Sequence, residues 1–544
     1  MKKLTCLSAF ALASCPSALL AATYEIGPTA NLGQEIAKLK AGDELVLQGG
    51  TYTLTSKLTI TVAGTASAPI VIRSKDGQTA HITRDASQNV INVENTQYVV
   101  LRKLEVSKGS HGIRMLNSSF ITVEDCHIHD TADVALSANV GGGKYQGLTI
   151  RRNHIHHTNG TGEGMYLGCN NDGCQMFDSL IEGNYVHHTN QATVSQGDGI
   201  EIKQGSYNNI VRDNVIHDTN YPCILVYGTA GKAVNLLERN AMWNCGDHGI
   251  QAEADAIIRN NLVLGAKADG IRNQLHQQQS VEDLTIVHNT VLNAGDALRS
   301  DSIKTNVIIA NNALYSQGGN ALRASGTLSA LTVAGNVGMG STQGVSGGFT
   351  GGGSLAADFV DAAFGGAKLN VFPKAGSKLI AAGNATYVTN DDFNGTARGG
   401  VADVGAYKYG ATNPGWTVGA GFKDPTGSAG GGGTGGSGGA PSGGGAPSGG
   451  ASSGGAAGAG TGGGAGTSAG GGAGAGTGGA SSGGASAGGA SSGGSGTGGA
   501  KSGGDGGDDG GCGCRTAPVK SESFWPGALA LSLLALRRRR RATR

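Results

Sequence analysis

Ten times between residues 99 and 337 the chain repeats one phrase: an apolar strand, a small or amide residue at a turn, then another short apolar strand. The phrase is plainest at Leu148–Thr158, Ser179–Thr189 and Asn209–Thr219. Its turn position runs through Leu104, Cys126, Asn153, Asn184, Asn214, Asn240, Asn261, Asn289, Asn312 and Asn336, at spacings of 22, 27, 31, 30, 26, 21, 28, 23 and 24 residues. The shortest spacings approximate one bare unit, and the excess is inserted loop. A further strand in each unit opens on Gly or Ala followed by an aliphatic, as in Gly112-Ile113, Gly164-Met165, Gly199-Ile200, Gly249-Ile250, Gly270-Ile271 and Ala297-Leu298.

Two or three short alternating strands per unit predict a solenoid. A unit this short cannot bury its apolar face alone, so it must stack on its neighbours at about 4.8 Å per coil. The Asn column then falls at one corner of successive coils, where it is expected to take left-handed backbone and form an amide ladder. No stretch sustains a helical period, which excludes leucine-rich and helical repeats. The predicted class is all-β, a parallel β-solenoid of about 10–12 coils.

These repeats resemble the right-handed, single-stranded parallel β-helix of polysaccharide lyases. Gly42–Leu47, Gly50–Leu54 and Ile70–Ile72 read as the first strands under an N-terminal cap. Ala37–Tyr52 and Ala68–Ile72 resemble the opening of the family-six lyases, which include chondroitinase B and alginate lyases. After Asn336 the repeat fades into a Gly-rich stretch, 338–353. A last unit follows through Leu369–Phe372, Asp392–Gly395 and Asp403–Tyr407, read as the closing cap that a solenoid needs for solubility. The expected divisions are a cap with first coils at 23–98, repeats at 99–340 and final coils with a cap at 341–426.

Both ends carry addresses rather than fold. Lys2 and Lys3, an apolar run and small residues up to Ala22 form a secretory signal, 1–22. Leu12–Cys15 is a rival lipoprotein box, weakened by the apolar Pro16–Ala22 that follows it. Residues 427–511 are almost wholly Gly, Ala, Ser and Thr, a flexible tether that cannot bury a core. Beyond it, 512–544 holds Cys512-Gly-Cys514, the short apolar stretch Phe524–Leu536 and five arginines, Arg537–Arg541. Such an apolar stretch spans roughly 20 Å as a helix, short of the roughly 30 Å bilayer core. The order resembles MYXO-CTERM sorting signals. That resemblance implies cleavage by a sorting protease near Cys512 or Cys514 and display at the outer surface. An ordinary tail anchor is the alternative.

Without these ends, residues 23–500 hold 29 basic and 35 acidic residues, a net charge of −6. Global charge therefore gives no support for nucleic-acid binding, and an anionic partner must meet a local patch. Cys169 and Cys174 bracket a short loop suited to a disulfide in an oxidising compartment, and no histidine spacing accompanies them to suggest zinc. Cys126 sits in the Asn column and is expected inside the stack.

Along each Gly-aliphatic strand, the third and fifth residues face outward. The third residues include Arg114, Tyr166, Glu201, Gln251, Arg272, Arg299 and Arg323, and the fifth include Lys203, Tyr227, Glu253 and Gln274. One face thus gathers acid, base, aromatics and an arginine ladder. Gly197–Asn209 resembles the lyase strand that carries a catalytic lysine, followed by a small polar turn and paired asparagines. That resemblance implies that Lys203 removes the proton α to a uronate carboxylate. Elimination also needs the carboxylate charge offset, by Ca²⁺ or by an arginine. Asp198 and Glu201 are the candidate Ca²⁺ ligands, and Arg272 the candidate to hold the sugar carboxylate. Tyr166, Glu201, Tyr227, Gln251, Arg299 and Arg323 are candidate contacts for an acidic polysaccharide.

The chain departs from that pattern, since no Arg-His-Gly segment and no full acidic ligand set follow the lysine strand. The plain alternative makes Glu201 and Lys203 an exposed ion pair worth little, on a noncatalytic glycan-binding or adhesin-like surface protein. The close aspartates of a β-helix hydrolase are missing: Asp198 and Asp213 do not make that set, and Gly246–Gly249 is a fragment of one. The Asp-Pro-His-Asp signature of mannuronan epimerases is also absent. His129, His156, His187 and His217 recur at one position and Trp243 continues them, which a stacked ladder at a corner of the coil explains without metal. His154, His156, His187 and His188 would suit a metal, but no acidic partner recurs with them at fixed spacing.

Overall fold

The computed structural model describes residues 21–277, 280–365 and 369–424. The body is a parallel β-solenoid of about 11 turns, with very little helix. Each turn contributes strands to three parallel stacks. The first runs from Thr23–Ile26 to Leu331–Ala334, the second begins at Gly50–Thr53 and the third at Leu58–Ile60. Alternation decides what each strand shows to the inside: Ile150, Ile155, Met165, Ile200, Ile202, Ile216 and Ile250 are all fully buried in one continuous core. The expected register holds, with Tyr166 opposite Glu201, Glu201 opposite Leu225, and Gln251 opposite Arg272.

The Asn column forms the ladder, but not by the expected backbone. From Asn153 through Asn184, Asn214, Asn240, Asn261, Asn289 and Asn312 to Asn336, each side-chain amide donates to the next Oδ1 at 2.9–3.0 Å. Each also donates to a backbone carbonyl of the coil below, as Asn214 does to Ile181 at 3.0 Å. Both amide hydrogens are thereby consumed where no water reaches. The left-handed residue is the one before, at Arg152, Asp213, Arg239, Asn260, His288 and Asn311. The residue before each Asn takes the positive φ, and the Asn side chain runs along the stack.

The helix Leu32–Ile36, started by Asn31 accepting from the Gln34 amide at 3.1 Å, buries Leu32 and Ile36 over the first coil. At the other end the segment expected as a closing cap lies along the side of the stack. Phe359, Leu369, Val371, Leu379, Phe393, Tyr407 and Trp416 form a second core with Ala241, Trp243, Leu262, Leu292, Ala313 and Val337 of the second stack. Arg239 Nη1 meets Asp391 at 2.7 Å, the buried Arg398 donates to Asn260 Oδ1 at 3.0 Å, and Lys423 Nζ meets Asp213 at 2.6 Å. Because that segment has no period, nothing in its sequence registers it against a coil. Disulfides join Cys169 to Cys174 and Cys223 to Cys245, and Cys126 is buried and free. The signal segment up to residue 20, the tether and the sorting segment lie outside the described residues. Among the described residues no helix is long and apolar enough to cross a membrane.

Candidate functional site

Strand Ile200–Ile202 turns Ile200 and Ile202 inward and therefore Glu201 and Lys203 outward. The outer wall is not open at this point. Glu201 and Lys203 are buried, with relative exposures of 1% and 3%, because two loops cross over them. One is the disulfide loop with its turn Asn170–Asp172, and the other carries His276. They meet where Gln277 Nε2 donates to Asn170 Oδ1 at 3.5 Å. Gly168 is required beneath: its φ is +92°, and a Cβ there would lie 3.0 Å from Lys203 Cβ and 2.7 Å from Ser206 Oγ.

Inside this enclosure Lys203 Nζ pairs with Glu201 Oε1. It stands 4.7 Å from the Tyr166 ring centroid and 4.9 Å from that of Tyr227, and donates to Tyr227 Oη at 3.4 Å. Tyr227 Oη also lies 3.2 Å from His276 Nε2. Behind Glu201 sit Asp198 and Glu163, both fully buried, and one carboxylate oxygen from each of the three falls within 4.8 Å of the others. Both Asp198 oxygens, Glu201 Oε2 and Glu163 Oε1 lack a hydrogen-bond partner.

Burial and mutual repulsion set the protonation here. Burial, followed by the Glu201 charge, pushes Glu163 up to about 7. Asp198 rises well above the carboxylate range through burial and then Glu201 and Glu163, and Glu201 rises through burial against the pull of Lys203. Burial would lower Lys203, but the Glu201 carboxylate more than offsets it and holds the ammonium well above its ordinary value. Tyr166 is pushed up to about 12 and Glu253, one coil past Tyr227, to about 9, both chiefly by burial. Burial thus pushes all four acids toward the neutral form, and a bound cation would draw their carboxylates back to the charged one.

Arg272 is not brought to Lys203. It lies three strands up the same stack, about 14 Å at the usual coil spacing. There it pairs with Asp301 at 2.9 Å and Asp269 at 3.5 Å, and burial, followed by the neighbouring Arg299, lowers its pKa. Arg299 shares Asp301 at 2.8 Å, and Arg323 faces Asp296 at 3.9 Å. Gln251 is buried beside Arg272 in the register. The ladder is therefore interleaved with acids and separate from the lysine pocket. Glu163 escaped the sequence reading although a signal existed: it and Asp198 both immediately precede a Gly-aliphatic pair in successive units. His276 has no such signal, since it comes from a loop.

The histidines lie not at a corner but on strands, on the outer face of the second stack. His129, His156, His187, His217 and Trp243 stack at centroid separations of 5.3, 4.9, 5.1 and 4.4 Å. A second column, His127, His154 and Tyr185, runs beside it at 4.7 and 4.9 Å.

Two family descriptions match the chain: "Pel9A-like, right handed beta helix region" over residues 20–188, and "Right handed beta helix region" over 143–314. Pectate lyase PEL9 of Emericella nidulans is 28% identical over 107 residues, covering 17% of this chain and 26% of that protein. The chain thus matches about a quarter of that relative's length. Among solved structures, pectate lyase Pel9A aligns with 72% of this chain and 96% of its own at 16% identity, with a TM-score of 0.47. XylC in complex with xylose aligns with 74% of this chain and 99% of its own at 8% identity and a TM-score of 0.51. With the parallel stacks, the two family matches make the chain a right-handed β-helix repeat protein, and the partial match to PEL9 makes it one that resembles pectate lyases over part of its length.

Proposed function

We propose that the protein is an exported, surface-displayed lyase that cleaves an acidic, uronate-containing polysaccharide by β-elimination at the Lys203 pocket. One observation carries this reading: a lysine enclosed by two tyrosines stands against three buried carboxylates that have more oxygens than partners. The partial likeness to pectate lyases supports it, and the signal and sorting segments expected from the sequence supply export and display.

Glu163, Asp198 and Glu201 suit a hard divalent cation such as Ca²⁺, for which oxygen donors with unsatisfied lone pairs are the fitting chemistry. Bound there, such an ion supplies charge to offset the uronate carboxylate as the enolate develops. Lys203 abstracts the proton, so it must be neutral. Neutralising Glu201 removes the charge that holds the ammonium, leaving burial, which favours the free amine. Tyr166 and Tyr227 flank the amine and present faces for a sugar ring. Tyr227 Oη, with His276 behind it, stands where a proton can be returned to the leaving oxygen. The loop over the pocket must part for a polymer to enter.

The test is ultraviolet absorbance of the unsaturated product from pectate, alginate and glycosaminoglycans, with added Ca²⁺ and with a chelator. Activity that Lys203→Ala abolishes supports the reading, and activity that survives this change reassigns the site. No product from any of these glycans favours the second reading, a noncatalytic glycan-binding surface protein. That reading rests on the same buried Lys203–Glu201 pair, which as placed keeps the lysine protonated.

A further inference from the structure

We propose that the histidine wall of the second stack is a transition-metal site, with His127, His154 and His156 as ligands to an ion such as Zn²⁺. It is independent of the lysine pocket, which lies on the third stack and whose candidate metal ligands Glu163, Asp198 and Glu201 are all oxygen donors.

The sequence His127-Ile128-His129 recurs one coil later as His154-Ile155-His156, directly in register. Alternation sends both isoleucines into the core and both histidines of each pair outward. Two parallel columns of imidazoles result, where a single ladder needs only one. The rings do more than stack. His127 Nε2 and His156 Nε2 point at each other across the coils at 2.7 Å, and His154 Nε2 meets His187 Nε2 at 2.8 Å. One ligating nitrogen from each of His127, His154 and His156 falls within 4.8 Å of the others.

Three neutral imidazoles converging on one point are a sufficient donor set, with water as the fourth ligand, and no carboxylate is needed. Nitrogen donors of this softness select zinc, copper or nickel over calcium. The rings are held neutral: burial, followed by the charge of neighbouring histidines, lowers His127 and His154 to about 4 and His156 to about 2. They remain half-buried, so an ion reaches them from solvent.

An outer partner is also in place. His156 Nδ1 lies 2.5 Å from His157 Nδ1, and the tautomer of His156 with its proton on Nδ1 would donate there and leave Nε2 for the ion. At about 2.0–2.1 Å per bond a tetrahedral ion needs ligand nitrogens about 3.3 Å apart. His127 and His156 must therefore part by roughly half an ångström from their hydrogen-bonded separation, within reach of side chains on an outer wall.

The experiment titrates the full chain with Zn²⁺ against a chromophoric chelator and records visible spectra with Co²⁺. One equivalent is expected to bind with nitrogen-type Co²⁺ bands. His127→Gln and His156→Gln are each expected to weaken it at least ten-fold, while Glu201→Gln and Cys512→Ser/Cys514→Ser leave it unchanged. Unaltered affinity in both histidine variants overturns the proposal, as does loss of binding in the cysteine variant. Circular dichroism melts show whether the variants fold. Should they not, Cu²⁺ paramagnetic resonance of the unaltered chain decides, because an absence of nitrogen superhyperfine coupling excludes the imidazole set.

Discussion

Two adjoining walls of one solenoid hold their polar residues in opposite ways. On the third stack Glu163, Asp198, Glu201 and Lys203 are enclosed by loops and are charged or short of partners. On the second stack His127, His154 and His156 are half-buried and held toward the neutral form, and their ring nitrogens pair with neighbouring imidazoles. The backbone repeat is the same beneath both. What differs is the length of insert between strands: long loops desolvate the first set, raising carboxylates, while the short turns around His127 and His154 leave imidazoles to shield each other. A solenoid can therefore vary the chemistry of each wall separately, through loops that leave the coil unaltered.

The sharpest break in this comparison is Lys203→Ala. Losing a general base costs on the order of 10²–10⁴ in rate, so product formation should fall by at least about a hundred-fold. Zn²⁺ binding at the histidine wall should not change. A loss of both would show the walls to be coupled through the coil, and the change would then be structural.

Next in size is Asn214→Ala, which strikes both walls at once. It removes two donated hydrogen bonds and leaves the Asn184 amide and the Ile181 carbonyl buried without their partner. Each orphaned group costs about 1–3 kcal/mol. Denaturant melts should show a loss of several kcal/mol, and an exposed Asn with ordinary backbone, such as Asn190, changed to Ala should show almost none.

The walls should also respond to pH with opposite signs. Glu163, raised from 4.5 to about 7, and Glu253, raised to about 9, bind protons more tightly folded than unfolded. Their contribution is full below about 4.5 and is lost as pH rises through 7 and then 9. The shift at Glu163 corresponds to roughly 3 kcal/mol. His127 and His154, lowered from 6.5 to about 4, behave in the reverse sense: stability is full above 6.5 and is lost as pH falls toward 4. In chelator the two effects oppose each other between about 4.5 and 6.5, so melting temperature should fall most clearly above 6.5, where the acids alone respond. Glu163→Gln should flatten the alkaline limb alone, and Ca²⁺ should raise that limb only in the unaltered protein. A Glu163→Gln variant with the same alkaline limb would remove Glu163 from the cluster.

Much of this was legible in the chain. The Asn column gave the coil count, the corner and the register, because a buried amide with two donors can be satisfied only by a matching amide above and a carbonyl below. From that register, Glu201, Lys203, Tyr166 and Tyr227 followed as neighbours. Burial did not follow, because it comes from aperiodic loops whose positions no repeat fixes. His276 and the side-on segment Phe359–Lys423 were hidden for the same reason. The Cys223–Cys245 bridge was hidden differently, by a spacing of one coil in which neither cysteine belongs to the Asn column.

The smallest expected effect tests whether the loops alone separate the walls. Cys169–Cys174 closes a loop within one coil, so its removal leaves every parallel pairing intact, whereas Cys223–Cys245 joins two successive coils. Closing so short a loop is worth about 2 kcal/mol, a shift of a few degrees at most in a body of this size. The loop touches Gln277 through Asn170 and springs from Gly168 behind Lys203, so the change should be felt in how the pocket closes. Cys169→Ser/Cys174→Ser should alter KM several-fold with little change in kcat, and leave histidine-wall metal affinity alone. A fall in kcat approaching that of Lys203→Ala would instead make the loop part of the lysine's own positioning, and the enclosure would then be catalytic rather than a cover.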